Sequence, residues 1–577
     1  MNLELLKMKD SNRIRLVLFS FSIALPPLAL LFYIDAFGVN VIFWDEWVIV
    51  PLMQKGMNGS LGFSDFFNQH MEHRLLFPRI AMLTIGKFTQ YNTRAEMFFS
   101  WTLICMTMLL IFHLYWKKSL KENFHKILLT FLPVSLLFFS FVQYETILWG
   151  FSCQTYMMIF GAVASFYLLD KSKNIDYAFG LSILCAILAS FSFFLGLLVW
   201  PAAFLQLILE EKRNIKKIIS WSIIGSSTIM VYFYDFFHPS EAPSLTYFLT
   251  YPLESAQYFI SLLGAPLSRG VLGSRAFGLF IFLITIIVLI LNYKEKNLGR
   301  DRVWIALILF IGLSAIAITV GRGGFGLKLA LSSRYTPIII LGIISVYMLA
   351  MIGSDRRPTR LRNFTAHAML TLILVTLITS YGYGLDRGRE SKYSRDLGSY
   401  ILTTYEIQSY ENIRKHLYPN PDHIQDKMMF CDQEKLSSFA ETKVDATVLI
   451  LQNSSTLSSI ESINNKEISS HTGIVIDLEK ENTITIEGWA IDKPNGKVAS
   501  DVFIIVDNEF DIPTYYGLDR LDVSSHLNNS DFRYSGFIAT FSSSIFSKDL
   551  HSISLKVVSN DGEFYYYPHE AYIINFK

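Results

Sequence analysis

The strongest constraint on this chain is the recurrence of apolar runs close to the roughly 18–20 residues that cross a bilayer. They fall near 14–35, 96–115, 125–142, 151–169, 177–193, 196–210, 217–234, 276–293, 303–320, 335–353 and 365–384. With 51% apolar residues and a mean hydropathy of +0.35, the sequence reads as an α-helical polytopic membrane protein of about 11 spans. The net charge of +1 hides a segregation of basic residues into short connections, so no nucleic-acid partner is implied. Cys105, Cys153 and Cys185 lie in or beside apolar runs and Cys431 stands alone in a polar stretch, so no disulfide framework is implied. The first run has basic flanks like a signal peptide, but no small-residue cleavage site closes it, so it reads as a retained helix.

Orientation follows from the basic clusters. Lys7, Lys9, Arg13 and Arg15 precede the first run; Lys117, Lys118, Lys121 and Lys126 follow the second; Lys171 and Lys173 follow the fourth. Lys212, Arg213, Lys216 and Lys217 come next, then Lys294, Lys296, Arg300 and Arg302, then Arg356, Arg357, Arg360 and Arg362. Every second connection is basic, which predicts a cytoplasmic amino terminus and an extracytoplasmic carboxyl terminus. Positions 177–210 fit either two short crossings turning at Ser192–Gly196 or a re-entrant pair.

The external connections carry the unusual residues. In the first, 36–95, Trp44-Asp45-Glu46-Trp47 precedes His70-Met71-Glu72-His73-Arg74, and Val48–Met53 and Leu75–Ile85 read as surface helices. Tyr247–Leu263 reads the same way in a later connection. Asp45 or Glu46 could take a proton from an attacking sugar hydroxyl, with Trp44 and Trp47 as an apolar wall that raises the carboxylate pKa. The plainer reading makes one carboxylate a helix cap and the tryptophans an interfacial belt. If their segment is helical, His70, His73 and Arg74 share one face and could hold a phosphate leaving group; a solvated surface face is the alternative. The HxxH spacing is a poor zinc signature, and no metal site is called.

Glu145, Trp149 and Gln154 place a carboxylate, an indole and an amide in a short external turn, a mixture suited to a sugar or glycan acceptor. Gly321–Lys328, followed by Ser333-Arg334-Tyr335, is glycine-rich with Arg322, Lys328 and Arg334 on the side the charge bias disfavours. Such a loop can bring backbone N–H groups and cations to an anion, or be only a flexible turn; it lacks the phosphate-loop pattern of nucleotide-binding proteins. Arg322, Arg334 and Tyr335 join His70, His73 and Arg74 as candidate phosphate-binding residues.

Three regions follow: a membrane region 1–386, an extracytoplasmic helical region and linker 387–469, and a β-sandwich 470–577. Tyr405–His416 is patterned as a helix ended by Pro419-Asn420-Pro421, and 452–468 is Ser/Asn-rich. Short alternating runs then appear at 473–477, 483–487, 502–506, 536–540, 553–557 and 565–567, the spacing of a small sandwich.

The many spans, the acidic pair in a long first external loop and the terminal soluble region resemble the C-type glycosyltransferases (GT-C), which include protein O-mannosyltransferases and aminoarabinose transferases. Trp-Asp-Glu-Trp, His-x-Glu-His-Arg, Leu-Trp-Gly-Phe and Ser-Arg-Tyr also resemble stretches of bacterial membrane proteins described as glycosyltransferases. Glu487-Gly488-Trp489-Ala490-Ile491-Asp492, with Gly517–Val523 and Ser535-Gly536-Phe537, is similar to an immunoglobulin-like module appended to such enzymes. The resemblance implies a polyprenyl-phosphate-linked sugar donor such as an undecaprenyl-phosphate sugar, a glycan acceptor (O-antigen, lipopolysaccharide or similar), and Asp45 or Glu46 as base. It places the enzyme in the bacterial plasma membrane with its chemistry on the outer face. The Trp-Trp-Asp motif of oligosaccharyltransferases is missing. No organic cofactor is called for, and a divalent cation at the phosphate remains compatible. An O-antigen polymerase or ligase is the competing enzyme class, and a lipid-glycan transporter the non-enzymatic one; a transporter would place charges within several spans, whereas here they gather in loops.

Overall fold

The computed structural model describes residues 10–118, 124–240, 243–441, 449–452, 454–468, 474–568 and 571–577. Lys7, Lys9, Lys121 and Gly473, named above, lie outside them. Two compact units divide the chain: one of 1–38, 55–89 and 93–391, the other of 39–54, 90–92 and 392–577.

Among the described residues, 8 helices are long and apolar enough to cross a membrane. They are Ser20–Phe37, Thr93–Lys117, His125–Ile147, Gly150–Lys171, Val271–Lys294, Arg302–Phe325, Ser333–Arg356 and Arg360–Thr403. Each matches one expected span. The other three expected spans are also helical but fall short of that standard. Tyr177–Ser190 and Phe194–Ile208 are shorter apolar helices, and the 19 residues of Ile215–Phe233 begin with Lys216 and Lys217. Local chemistry sets several starts: Asp176 accepts the Phe179 N–H at 3.0 Å, and Asn214 accepts from Lys216 and Lys217, filling donors that a helix leaves open. Two glycines permit one close crossing. A Cβ on Gly264 would sit 1.9 Å from the Ser274 carbonyl, and one on Gly278 would sit 1.8 Å from that of Ile260. Pro252–Gly264 and Val271–Lys294 therefore meet backbone to backbone, as small residues allow inside lipid.

Five cations of the basic connections are neutralised in place. Arg356 makes a two-pronged contact with buried Asp301 at 2.9 Å on each arm, Arg362 does the same with Glu295 at 3.0 and 2.7 Å, and Lys217 meets Glu210 at 2.8 Å. Arg302 meets Asp170 at 2.9 Å and Lys126 meets Asp355 at 2.8 Å. A forked guanidinium against a carboxylate is the geometry in which a half-buried ion pair retains its attraction after desolvation.

The second unit is built on two sheets. In one, Phe510–Pro513, Asp501–Val506, Leu550–Val558, Phe564–Tyr566 and Ile450–Leu451 lie side by side, with Tyr572–Phe576 and Ile474–Ile476 completing seven strands. In the other the order is Tyr515–Leu518, Gly536–Ser542, Thr483–Asp492, Leu457–Ile463 and Lys466–Glu467, with Lys497–Val498 pairing Thr483–Asp492. Alternate residues such as Ile484, Ile486, Ile504, Ala539, Phe541 and Leu555 fill one common core, as alternation along a strand requires. All six expected strands are present. The expected linker at 452–468 is corrected: it holds Leu457–Ile463, which pairs along Thr483–Asp492 and buries Ile460 and Ile463. Its asparagines are hairpin chemistry, because Asn464 and Asn465 adopt φ of 49° and 61° between Ile463 and its partner Lys466, the left-handed pair that a two-residue turn needs. The expected helix near 405–416 is present as Tyr410–His416 after a short turn of 3-10 helix.

Candidate functional site

The segment His70–Arg74 corrects the helical expectation. Gln69–His70 and His73–Arg74 form a small antiparallel hairpin in which His70 pairs with His73 and Gln69 with Arg74. Met71 at its tip takes φ 49°. Paired residues share a face while neighbours along a strand oppose one another, so Arg74 parts from the two histidines. Its guanidinium donates to the carbonyls of Tyr232 at 2.5 Å, Phe67 at 3.0 Å and Tyr234, and lies 4.6 Å over the Phe67 ring. Arg74 is 4% exposed, and burial pushes the guanidinium below its ordinary value. It is a clamp joining the hairpin to the chain around 232–234, with no face open to a phosphate.

The neighbouring carboxylate, Glu72, is what the hairpin presents. One of its oxygens is ion-paired with Arg322 at the end of Arg302–Arg322, and the same oxygen lies 3.6 Å from His73 Nε2. The other is buried with no hydrogen-bond partner among the described residues. His73 stacks on Phe193 at 4.2 Å, and its Nδ1 accepts the Phe194 N–H at 3.2 Å. A ring nitrogen that accepts leaves the proton on the other nitrogen, so the His73 Nε2–H faces Glu72. Tyr335 joins this group through its hydroxyl, which contacts the Arg322 guanidinium. His70 sits edge-on to Phe151 at 5.6 Å, and Phe151 in turn lies 5.6 Å from Trp149. The buried Trp149 Nε1 and Gln154 Oε1 have no hydrogen-bond partner among the described residues, the condition in which water or a ligand hydroxyl is favoured.

Glu145 meets the Ser-Arg-Tyr turn. Its Oε2 accepts from Ser332 Oγ at 2.8 Å and from the Arg334 N–H at 3.0 Å, so the carboxylate fixes the turn that opens Ser333–Arg356. The Arg334 side chain is exposed and has no ion-pair or hydrogen-bond partner among the described residues. Arg356 at the far end of the same helix is locked to Asp301; Arg334 keeps its whole fork free.

In the second unit, the structure divides the acidic pair. Glu46 is 1% exposed and its Oε2 accepts the Phe43 N–H at 2.8 Å, capping the 3-10 helix Trp44–Val48. Asp45 is half-buried and lies close enough to Tyr418 that, after burial, its charge is the second cause raising that hydroxyl's pKa. Arg395 lies 3.1 Å over the Phe43 ring. The tryptophans divide as well: Trp47 is fully buried, whereas Trp44 is 41% exposed and donates its backbone N–H to Leu417 O at 3.0 Å. Among the described residues, no group of three His, Cys, Asp or Glu could hold a metal ion.

No family model matches this chain, and no solved structure matches it. A protein of Archaeoglobus fulgidus, described as uncharacterized, is 28% identical over 212 residues, covering 34% of this chain and 53% of that relative. The match thus spans about half the length of the relative.

Glu72 was not among the candidate site residues of the sequence. Nor was the Ser547–His551–Asp507 line in the sandwich, where His551 Nε2 lies 3.1 Å from Ser547 Oγ and Nδ1 lies 2.6 Å from Asp507. The Ser547 carbonyl also faces Nε2 at 3.2 Å. Asp507 only accepts, so Nδ1 carries a proton; Nε2 accepts from Ser547 Oγ in the neutral ring and donates to the Ser547 carbonyl in the imidazolium. Either way the trio ties the turn before Leu550–Val558 to Asp507.

Proposed function

We propose that this chain transfers a sugar from a polyprenyl-phosphate-linked donor to a surface glycan on the outer face of a bacterial plasma membrane, in the manner of a C-type glycosyltransferase. The observation that carries this reading is the free guanidinium of Arg334. It stands at the first turn of an apolar helix, on a loop anchored by Glu145, where a lipid phosphate would lie. A planar fork without a carboxylate partner can grip the phosphate oxygens in pairs, and its attraction grows as negative charge builds on the leaving phosphate. Arg322, Tyr335 and His73 supply further donors for the same head-group. In this reading the Asp45 carboxylate takes the acceptor hydroxyl proton.

The test is sugar transfer by the purified protein in lipid nanodiscs, with a synthetic polyprenyl-phosphate sugar and an isolated glycan acceptor. Arg334→Ala should weaken donor binding and slow turnover, and Arg334→Lys should restore only part of each because the fork is lost. Normal donor binding and normal turnover by Arg334→Ala would overturn the assignment.

A further inference from the structure

A cavity of about 380 Å3 opens beside Arg360–Thr403, lined by Leu267, Phe277, Val375, Thr376, Thr379 and Tyr383 among others. Most of this wall is apolar. Val375 is 66% exposed and Ile378, on the same helix, 83%, so the open side faces where bilayer chains would run. The head of the groove is cationic. Arg269 reaches it from the connection between Pro252–Gly264 and Val271–Lys294, and the guanidiniums of Arg269 and Arg387 lie 5.4 and 5.2 Å from the centre of the Tyr383 ring.

The charges on these two arginines are incompletely matched. Among the described residues Arg269 donates only to neutral oxygens, those of Leu331 at 2.7 Å, Val142 at 2.6 Å and Thr336 Oγ1 at 3.3 Å, and its buried Nε has no hydrogen-bond partner there. Glu145 acts on it from further off, with one oxygen already held by Ser332 and Arg334. Arg387 has one carboxylate partner among the described residues, the exposed Glu390 at 2.5 Å, and donates from Nε to the Tyr383 hydroxyl at 3.0 Å. Two cations capping a lipid-facing apolar groove complement a molecule with a negative head and a hydrocarbon tail.

We propose that this groove binds an anionic glycerophospholipid of the surrounding bilayer, one acyl chain lying along Val375 and Phe277 and the phosphodiester resting at Arg269 and Arg387. The site is separate from the donor phosphate site assigned to Arg334. It touches that site mechanically, because Arg269 holds the Leu331 carbonyl and Thr336 on either side of the Ser-Arg-Tyr turn.

The experiment uses full-length protein in detergent, stripped of lipid, with bound lipid read by native mass spectrometry and stability by thermal melting. Phosphatidylglycerol should remain bound and raise Tm, while phosphatidylcholine and diacylglycerol should do neither. Val375→Trp, which fills the groove, and Arg387→Gln, which removes one cation, should each weaken phosphatidylglycerol binding by about tenfold or more with little change in the lipid-free Tm. Equal retention of phosphatidylglycerol and phosphatidylcholine, or wild-type retention by Val375→Trp, would overturn the proposal. So would displacement of phosphatidylglycerol by equimolar undecaprenyl phosphate, which would make the groove a donor site. Each readout is binding rather than transfer, so its failure is distinguishable from failure of the glycosyltransferase reading.

Discussion

The Glu145 carboxylate accepts the Arg334 backbone N–H at 3.0 Å across 189 positions of sequence. It therefore serves the turn's shape while leaving the arginine's charge uncompensated by a direct contact. Glu145→Ala strands the Arg334 N–H and the Ser332 hydroxyl, which should cost about 1–3 kcal/mol. Melting of the variant should show the loss, with donor affinity falling in parallel. Glu145→Gln keeps an acceptor oxygen and should remain near wild type in both; equal damage from the two changes would assign the carboxylate a role through its charge.

Asp45 and Glu46 should separate cleanly. Glu46→Ala removes the cap on Phe43 and should destabilise by about 1 kcal/mol, whereas Glu46→Gln should retain most stability and transfer. Asp45→Asn is nearly isosteric and should abolish transfer with an unchanged melt. Turnover lost in Glu46→Gln and kept in Asp45→Asn would reverse the assignment.

Arg74→Lys tests the clamp. Lysine cannot reach three carbonyls with a rigid fork, so Tm should drop, with a cost of roughly 2–4 kcal/mol. The fraction that stays folded should keep the wild-type KM for donor. A raised donor KM without loss of stability would return Arg74 to the phosphate site.

His416 sets an acid limit for the second unit. Burial holds its imidazole down at about 4, with Lys415 contributing. The folded pKa lies below the unfolded one, near 6.5, so the unfolded chain binds more protons between these values. The stabilising contribution is full above about 6.5 and declines as pH falls towards 4. Limited proteolysis of the full-length protein should accelerate over that window, and His416→Asn should flatten the dependence. A wild-type pH profile in the variant would show that other groups govern it.

The eight long helices and the sandwich strands were legible because bilayer thickness and the two-residue strand period impose themselves directly on composition. The hairpin at Gln69–Arg74 was not. Two strands of two residues carry no period, and the positive φ falls on Met71 rather than on a glycine or asparagine. Leu457–Ile463 was hidden by its serines and by a bulge between Ile460 and Ser462, which puts its two core residues, Ile460 and Ile463, three positions apart instead of two. The division of labour between Asp45 and Glu46 depends on a main-chain donor at Phe43, a residue with no capping side chain of its own. Glu72 meets Arg322 across 250 positions, a pairing that no local pattern encodes.

The hairpin of Leu457–Ile463 and Lys466–Glu467 also determines where the chain can be cut. A fragment begun at 470, where the composition changes, would lose the neighbour of the ten-residue strand Thr483–Asp492. That strand would then present a long row of unpaired N–H and C=O groups, an open invitation to pair with another copy. In the intact sheet this margin ends in the two-residue Lys466–Glu467, short and charged at both positions, as edges that resist self-association are. Dissection of this protein should therefore keep everything from Ile450 onward with the sandwich, and a fragment that begins later should be recovered as aggregate.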